Sequence, residues 1–412
     1  MSMPVSTWVE VDLDRFASNL RLIRALIGPD CGVFLVVKAD AYGHGAVEIS
    51  EAAEREGVSV LGVATLHEGI QLRQAGSRLP IVVLSPLLES EIAEAVAHEL
   101  DPTIADMAFA GALSAAAVAA GRAVRCHVEI DTGMGRTGVC GHDAEEFVVK
   151  LVTLPGLRLT SVYTHFPDAD GEDLEFARTQ VATFRSIADR LATRGIRPPR
   201  LHAANSAGTL NLSEARFDWV RVGLLAYGHQ PPHTGALAGL VPVMALKSRI
   251  VQLRDVAAGH PVSYGRTFRT QRPSRIGVVP IGYGHGYSWL LSNRGFMQVC
   301  GVRAPIVGRV TMDLTMLDLT DIPEAAVGDE VILFDGATSA GAPSIEDVAG
   351  WSETLPYEIM CTMGKRVTRI YVREGRPVKL TSLVGERAEW ADQAADHFRR
   401  RAEAVAAARG GG

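Results

Sequence analysis

The stretch "FLVVKADAYGHGA" (34–46) raises the question of why an apolar run should end in a lysine. Residues 34–37 are apolar and rich in β-branched side chains, which is typical of a buried strand. Lys38 follows at once, and a polar turn containing Tyr42 comes after it. Such a lysine can simply extend its amine to solvent from a strand end. Alternatively, a pocket holds the amine, lowers its pKa by desolvation and makes it a nucleophile or a base.

Short apolar runs of the same kind recur through the first two-thirds of the chain. Segments with helical periodicity lie between them, such as 13–28, where the apolar residues fall on one helical face and a glycine ends the pattern. Alternation of strands and helices predicts a parallel sheet with crossover helices. The predicted strands are 33–37, 60–64, 81–85, 101–105, 125–130, 159–164, 200–205 and 219–223. Eight such strands predict an α/β fold, a closed (β/α)₈ barrel of the TIM type over residues 10–240, with an open doubly wound sheet as the alternative.

The pattern changes after residue 240. Segments such as "ALKSRIVQL" (245–253) and "DEVILFDG" (329–336) are typical of strands, and turns containing glycine, proline or aspartate join them. We therefore predict a mainly β domain over residues 241–384. Residues 385–412 are rich in alanine and mixed charges and end in glycines, which predicts a C-terminal helical extension with a glycine tail.

Composition argues against a nucleic-acid-binding, a disulfide-rich or a membrane-spanning protein. The 412 residues carry a net charge of −6, whereas a nucleic-acid-binding protein would usually present a basic surface. Five cysteines lie far apart with no CxxC pair, which favours a reducing compartment over a disulfide framework. The first residues lack the apolar stretch of a signal peptide, and no apolar run is long enough to span a bilayer. We expect a cytoplasmic protein with no nucleic-acid, membrane or metal partner.

In a barrel, functional groups gather at the carboxyl ends of the strands. Each candidate there has an ordinary structural explanation, such as a core histidine, an ion-paired arginine or a helix cap. Their occurrence together at the carboxyl ends of the predicted strands nevertheless predicts a functional site. The candidates are Lys38 and Tyr42 after strand 1, Arg136 after strand 5, His165 after strand 6, Asn205 and Ser206 after strand 7, and Arg221, Gly223 and Leu224 in or after strand 8.

Ser206 and the backbone amides of Gly223 and Leu224 are predicted to hold a phosphate between strands 7 and 8, where anion binding by amides is a recurring device. A lysine across the rim from a phosphate site indicates a Schiff base to a phosphorylated aldehyde. Pyridoxal phosphate is the cofactor of that chemistry.

Motifs along nearly the whole chain carry a family resemblance. They include "VVKADAYGHGA" (36–46), "DTGMGRTG" (131–138), "HAANSAG" (202–208), "RVGLLAYG" (221–228) and "VSYGRTF" (262–268). In this order and spacing they resemble the alanine racemases, which are fold-type III pyridoxal-phosphate enzymes. The resemblance implies an N-terminal barrel and a C-terminal β domain that residues 1–9 join. It also implies a homodimer in which each active site takes residues from both chains, and an amino-acid racemase acting on alanine or a related small amino acid such as serine.

The resemblance also implies roles. Lys38 would bind the cofactor covalently and act as the base on one face of the substrate Cα, and Tyr264 of the second chain would be the base on the other face. The cofactor would further contact Tyr42, Arg136, His165, Asn205, Ser206, Arg221, Gly223, Leu224 and Tyr357. The substrate would meet Arg136, Met312 and Asp313, and the entryway would hold Asp170, Tyr283 and Trp289.

Elementary chemistry is consistent with these roles. Racemisation removes a proton from one face of Cα and returns one to the other, so two opposed bases suffice. Tyr264 needs a cationic neighbour to act near pH 7, because a free tyrosine has a pKa of about 10; Arg266 is a candidate. Arg221 cannot give up its proton, so the pyridine nitrogen beside it stays unprotonated. That weakens the cofactor as an electron sink and discourages transamination.

Some positions depart from the family pattern. The family usually has a carbamylated lysine where Glu129 stands, and the carbamate orients the arginine seven residues later. We predict that Glu129 substitutes for it as the anion that orients Arg136, directly or through a bridging polar group. Alternatively, Glu129 pairs elsewhere. The family usually has aspartate in place of His285 and arginine in place of Trp289, which leaves the preferred amino acid open.

Two other functions compete with racemisation. A fold-type III decarboxylase would place an acidic residue at the pyridine nitrogen and a cysteine from the second chain, whereas this sequence offers Arg221 and Tyr264. A non-catalytic pyridoxal-phosphate-binding protein would consist of a barrel only, whereas a complete β domain follows here.

Overall fold

The structure is a computed structural model that describes residues 5–335, 339–386, 394–400 and 403. Two compact units share the chain. The barrel unit comprises residues 17–41 and 46–240, and the β unit comprises residues 1–16, 42–45 and 241–412. The short segment 42–45 groups with the β unit, where the Gly43 carbonyl accepts a hydrogen bond from Arg369 Nε at 2.8 Å.

The barrel unit is built on eight parallel strands, as the alternation of strands and helices predicted. They are Gly32–Val36, Val60–Val63, Ile81–Val83, Asp101–Ile104, Val124–Asp131, Leu157–Tyr163, Arg200–His202 and Trp219–Val222, here called the first to eighth barrel strands. The eighth strand pairs with the first, and Thr103 of the fourth lies opposite His127 of the fifth, so the sheet closes on itself. A two-residue strand, Val139–Cys140, adds to the end of the fifth strand. The closed barrel is confirmed, and the open sheet is excluded.

Helices alternate with the barrel strands, and the first of them precedes the first strand. They are Leu13–Ile27, Ala46–Arg55, Leu66–Gln74, Ile92–Ala97, Met107–Ala119, Ala144–Leu151, Glu175–Thr193 and Ser206–Asn211, with 3-10 turns at Glu89–Glu91 and Ser213–Ala215. Capping side chains set several starts: Thr65 and Glu68 form a capping box, and Asp106 accepts from the Phe109 amide. The apolar layer between strands and helices contains fully buried residues such as Val128, Leu113 and Phe184.

One end of the barrel interior is filled by aromatic packing. Phe34 and Trp219 lie edge to face with ring centroids 6.2 Å apart, and Val60 and Val82 pack with them. Gly62 is required beside them, because a Cβ there would lie 2.4 Å from the Phe34 ring. Buried polar residues also occur on the barrel strands, among them Asp101, Thr103, His127, Ser161 and His202.

The β unit contains a mixed eight-stranded sheet. In spatial order its strands are Val302–Pro305, Phe296–Val299, Glu330–Asp335, Met244–Arg249, Thr7–Asp12, Thr368–Arg373, Arg376–Ser382 and Gly385–Glu386. The N-terminal strand Thr7–Asp12 therefore lies inside this sheet, antiparallel to Met244–Arg249 and parallel to Thr368–Arg373. It continues to Asp12, three residues beyond the predicted boundary, because its backbone stays paired on both sides.

Smaller elements complete the β unit. Three strands form a second sheet, Gln252–Val256, Ser274–Val279 and Thr315–Asp318, and Pro261–Val262 pairs with Phe268–Arg269. Two short helices are Ile345–Trp351 and Pro356–Cys361, and 3-10 turns lie at Tyr264–Arg266, Tyr283–His285 and Trp289–Leu291. The mainly β second domain is confirmed.

The predicted helical extension 385–412 begins as a strand, because Gly385–Glu386 pairs with the end of Arg376–Ser382. Residues 394–400 are helical, and Ala394 and Phe398 are buried with Trp8 and Leu380. Residues 387–393, 401–402 and 404–412 lie outside the described residues. Within the part of the chain that the structure describes, every helix is too short or too polar to cross a lipid bilayer.

Candidate active site

Lys38 begins a left-handed turn. Ala39, Asp40, Ala41 and Tyr42 all have φ between 52° and 55°. L-residues pay about 1–2 kcal/mol each for a left-handed helical conformation, so the surrounding structure must fix it. Two side chains hold the barrel part of this turn.

Glu68 is the first of these side chains. Its Oε1 accepts from the Ala39 amide at 2.7 Å, while its Oε2 accepts from the amides of Ala64 and Thr65 at 2.8 and 3.1 Å. The second is Asp40, whose Oδ1 accepts from the Ala46 amide at 2.8 Å. Glu68 therefore links the end of the second barrel strand to the residue after Lys38. Sequence reasoning missed this role, although "TLHE" (65–68) carries the capping-box signal.

Arg221 is the hydrogen-bonding centre of the barrel mouth. It is 5% exposed and points its guanidinium at acceptors from the sixth and seventh strands. Nη1 meets His202 Nδ1 at 2.9 Å, and Nη2 meets His165 Nδ1 at 2.9 Å and the Thr164 carbonyl at 2.9 Å. Because a guanidinium only donates, both imidazole Nδ1 atoms accept.

His165 is consequently a neutral group among cations. Burial holds its pKa well below the usual value, and the positive charges of Arg221, Arg136 and Lys38 lower it further. Burial and Arg221 lower the pKa of His202 in the same way. The structure thus brings four predicted residues, Lys38, Arg136, His165 and Arg221, into one electrostatic cluster in the barrel unit.

Ser206 lies against the chain turn after the eighth strand. Its Oγ accepts from the amides of Gly223 at 3.2 Å and Leu225 at 3.4 Å, which lie on either side of the predicted Leu224. The Asn205 side chain is occupied as a helix cap, accepting from the Gly208 amide at 2.8 Å. A hydroxyl held by two convergent amides is the donor set that a phosphate oxygen requires.

Asp131 shapes the loop after the fifth strand. Its Oδ1 accepts from the amides of Gly133, Met134 and Gly135 at 2.8, 2.7 and 3.2 Å, which folds the loop around the carboxylate. Arg136 follows this turn with an exposed side chain.

Glu129 is buried beneath that loop, at 3% exposure. Its Oε2 accepts from Thr137 Oγ1 at 2.7 Å. Between the two described side chains Glu129 and Arg136 no direct ion pair is formed, so Thr137, the residue next to Arg136, takes the hydrogen bond instead. The carboxylate therefore contacts the loop that carries Arg136 and not its guanidinium.

In the β unit, Tyr42 and Tyr357 lie close together, with ring centroids 5.9 Å apart. Burial raises the pKa of the Tyr42 phenol, and Tyr357 and Cys361 raise it further. Tyr42 is therefore a protonated hydroxyl that can donate to an acceptor such as a phosphate oxygen.

Tyr264 projects from a strained turn of the β unit. Ser263, Gly265 and Arg266 have φ of 64°, 70° and 53°, and Ser263 Oγ donates to the Arg309 carbonyl at 2.7 Å. The Tyr264 side chain is 74% exposed. A Cβ built on Gly265 would lie 3.6 Å from Arg309 Nε, so Arg309 is a cation beside this turn that sequence reasoning missed.

A cavity of about 350 Å³ adjoins Tyr264. Its lining residues are Tyr264, Tyr283, Trp289, Arg309, Val310 and Thr311. The Arg309 guanidinium lies 4.6 Å from the centroid of the Trp289 ring, which fixes both side chains by a cation–π contact. Nearby, Met312 is exposed and Asp313 pairs with Arg366 at 2.7 Å. The predicted entryway residue Asp170 belongs to the barrel unit, in the segment after the sixth strand.

The donor sets of the barrel unit fit pyridoxal phosphate. Ser206 with two amides suits its phosphate, and the buried, donor-only Arg221 suits an unprotonated ring nitrogen. Lys38 supplies the amine that its aldehyde requires.

Two family models match most of the chain. The model for the N-terminal domain of alanine racemase matches residues 11–231, and that for its C-terminal domain matches residues 243–371. Alanine racemases from Desulfosudis oleivorans and Syntrophobacter fumaroxidans are each 41% identical, over 89% and 87% of this chain and 96% of each relative.

Solved structures agree with the sequence relatives. Alanine racemase from Clostridium difficile superposes with a TM-score of 0.88 at 33% identity, over 92% of this chain and 99% of that chain. The Bacillus anthracis alanine racemase with bound L-Ala-P gives 0.85 at 34% identity, over 92% and 98%. The Bartonella henselae alanine racemase with covalently bound pyridoxal phosphate gives 0.80 at 26% identity, over 90% and 100%. This chain belongs to the alanine racemase family.

Proposed function

We propose that the chain interconverts L- and D-alanine with pyridoxal phosphate, using Lys38 and Tyr264 as two opposed proton-transferring residues. The observation that carries this proposal is the cluster in the barrel unit. Lys38 follows the first barrel strand and shares an electrostatic cluster with Arg136, a neutral His165 and a buried Arg221, and Ser206 accepts from two backbone amides in the same unit.

The chain's own residues have separate tasks. Pyridoxal phosphate supplies an aldehyde that binds amines and a ring that accepts electron density from a substrate Cα. Ser206 and the amides of Gly223 and Leu224 bind the phosphate, together with the hydroxyls of Tyr42 and Tyr357. Arg221 donates to the ring nitrogen and cannot transfer a proton to it. Lys38 and Tyr264 each take or give a proton at one face of Cα.

Arg136 binds the substrate carboxylate in this proposal. It is exposed after a loop that Asp131 and Glu129 hold from beneath. An arginine suits this task because its planar fork donates two parallel hydrogen bonds to a carboxylate.

We further propose that the working unit is a homodimer and that Tyr264 acts in the site of a second copy. Five large, mainly apolar side chains of the β unit are exposed: Tyr264, Tyr283, Trp289, Met312 and Leu314. A patch of this kind on a protein surface marks an interaction site. Mixing the inactive variants Lys38→Ala and Tyr264→Phe should restore activity through hybrid sites; no recovery after verified subunit exchange would mean that each site is built within one chain.

Chiral analysis of the product from L-alanine tests the activity. The purified chain with pyridoxal phosphate should bring either enantiomer to the same mixture, and Lys38→Ala should remove both the activity and the borohydride-reducible cofactor adduct. Release of carbon dioxide would point to the decarboxylase, and cofactor binding without turnover to the non-catalytic protein. Arg221 and the complete β unit disfavour both. The preference for alanine over serine and the cytoplasmic location stay predictions.

A further inference from the structure

A chain of buried polar side chains runs through the barrel interior from Arg221 toward Asp101. Its members come from the eighth, seventh, sixth, fifth and fourth barrel strands in that order. They are Arg221, His202, Ser161, His127 and Asp101, and each is 5% exposed or less. His202 Nε2 lies 2.8 Å from Ser161 Oγ, and Ser161 Oγ lies 2.6 Å from His127 Nδ1.

The guanidinium fixes the direction of every bond in this chain. Arg221 donates to His202 Nδ1, so neutral His202 carries its proton on Nε2 and donates to Ser161 Oγ. The Ser161 hydroxyl then has its own proton left, and His127 Nδ1 is its partner. His127 consequently carries its proton on Nε2, which faces Asp101 Oδ2 at 3.8 Å.

The Asp101 carboxyl group lies at the far end of the chain. Asp101 accepts from Arg125 Nε at 3.1 and 2.9 Å through its two oxygens. The 3.8 Å between His127 Nε2 and Asp101 Oδ2 is too long for a hydrogen bond, so the chain of hydrogen bonds ends at His127. The hydrogen bonds run from the donor-only Arg221 through His202 and Ser161 to His127 Nδ1. Beyond them, His127 Nε2 faces the Asp101 carboxyl group and has no protein hydrogen-bond partner among the described residues.

Packing holds the middle of the chain. The Tyr163 ring stacks on His202 at 4.8 Å with an interplanar angle of 11°, and the Arg221 guanidinium lies 4.9 Å from the same ring. Aliphatic side chains commonly fill such barrel interiors. A row of polar groups is costly there unless every member is satisfied, so this row needs an explanation beyond packing.

Some N–H groups of the Arg221 guanidinium are not used by the hydrogen-bond chain. Three protein acceptors within 2.9 Å and the Ala203 carbonyl at 3.3 Å occupy both Nη2 protons and one Nη1 proton. Among the described residues, the Nε proton and the second Nη1 proton have no protein acceptor. Rotation of the guanidinium would exchange these two sets.

We infer that His202, Ser161 and His127 form a one-directional hydrogen-bond chain that locks the Arg221 guanidinium in the orientation presented to the cofactor's ring nitrogen. This inference rests on the proposed function for the role of Arg221. It makes Ser161 and His127 positioning residues, although neither contacts the guanidinium.

Histidine side-chain NMR of the cofactor-free protein tests the chain without any activity. The sequence has 12 histidines, so selective ¹⁵N labelling gives a tractable spectrum. His202 and His127 should both be neutral Nε2–H tautomers with slowly exchanging protons. Ser161→Ala should accelerate exchange of the His202 Nε2 proton about tenfold or more, since its acceptor is gone. Ser114→Ala is the matched control, because Ser114 is also buried in the barrel unit but donates to the Pro155 carbonyl.

His127→Gln tests transmission along the chain. The His202 resonances should shift in this variant, and the dissociation constant of pyridoxal phosphate should rise about tenfold in Ser161→Ala and His127→Gln but not in Ser114→Ala. An Nδ1–H tautomer at His202, or His202 resonances and cofactor affinity in both variants that match the control, would overturn the inference. Absence of racemisation by a wild-type protein with the expected tautomers would instead refute the proposed function alone.

Discussion

Loss of the hydrogen bond between Glu129 and Thr137 should weaken substrate binding, although neither residue is proposed to contact the substrate. The Glu129 carboxylate is 3% exposed, and Thr137 Oγ1 is its hydrogen-bond donor at 2.7 Å. A hydrogen bond to a charged group contributes about 1.5–3 kcal/mol. Thr137→Val removes the donor and leaves a buried carboxylate with one fewer partner, so the free energy of unfolding should fall by about that amount.

Part of this loss of free energy should appear in substrate binding, because Thr137 is the next residue in the sequence after Arg136. If about 0.7–1.4 kcal/mol is transmitted to the position of Arg136, the KM for alanine rises about threefold to tenfold. Glu129→Gln should act in the same direction. The double variant should be no worse than the worse single one, because both changes remove the same contact.

Steady-state kinetics and urea unfolding of the two single variants and the double variant measure these effects. Thr183→Val is the control, since Thr183 makes a local bond to the Thr179 carbonyl on an exposed helix face. Removal of carbon dioxide should leave wild-type activity unchanged, because Glu129 is a carboxylate without carbamylation. Wild-type KM in both single variants, additive losses in the double variant, or bicarbonate-dependent activity would refute the reasoning.

Three further predictions follow from the site. Tyr264→Phe should slow proton exchange more from one enantiomer than from the other, because Tyr264 serves one face of Cα; equal primary deuterium isotope effects for L- and D-alanine, as in wild type, would contradict it. Ser206→Ala should weaken pyridoxal phosphate binding about tenfold and leave histidine exchange unaltered, which equilibrium dialysis and NMR can check. Acidification below pH 6.5 should destabilise the cofactor-free protein, since the unfolded chain binds a proton there that the depressed pKa of His165 denies to the folded chain. His165→Gln should lessen this slope by up to about 1.4 kcal/mol per pH unit, whereas the exposed His142→Gln should not.

The strands and the lysine could be predicted because their signals are local. Short runs alternating with helical segments marked all eight barrel strands, and Lys38 follows directly after the first run. The seventh strand was predicted too long, since it ends at His202 and Asn205 caps the next helix instead. An Asn–Ser pair is a known helix start, so this error was avoidable.

Other features depend on contacts that the local sequence does not contain. The left-handed turn after Lys38 has non-glycine residues throughout, and Glu68, distant in the sequence, stabilises it. His202 and Ser161 lie in segments that alternation predicted as ordinary strands. Their importance follows only from the closure of the barrel, which brings five different strands around one interior.

The direction in which Glu129→Gln changes the KM for alanine distinguishes an effect of position from an effect of charge. Arg136 and Arg221 are permanently cationic, whereas Glu129 is a buried carboxylate that interacts electrostatically with Arg221 and Tyr163. Glu129→Gln therefore makes the barrel mouth more positive. If long-range charge governed binding, this change would attract the substrate carboxylate and lower KM. If Glu129 acts through Thr137 on the position of Arg136, the same change raises KM. An increase in KM therefore cannot come from the altered charge and must come from the displaced loop.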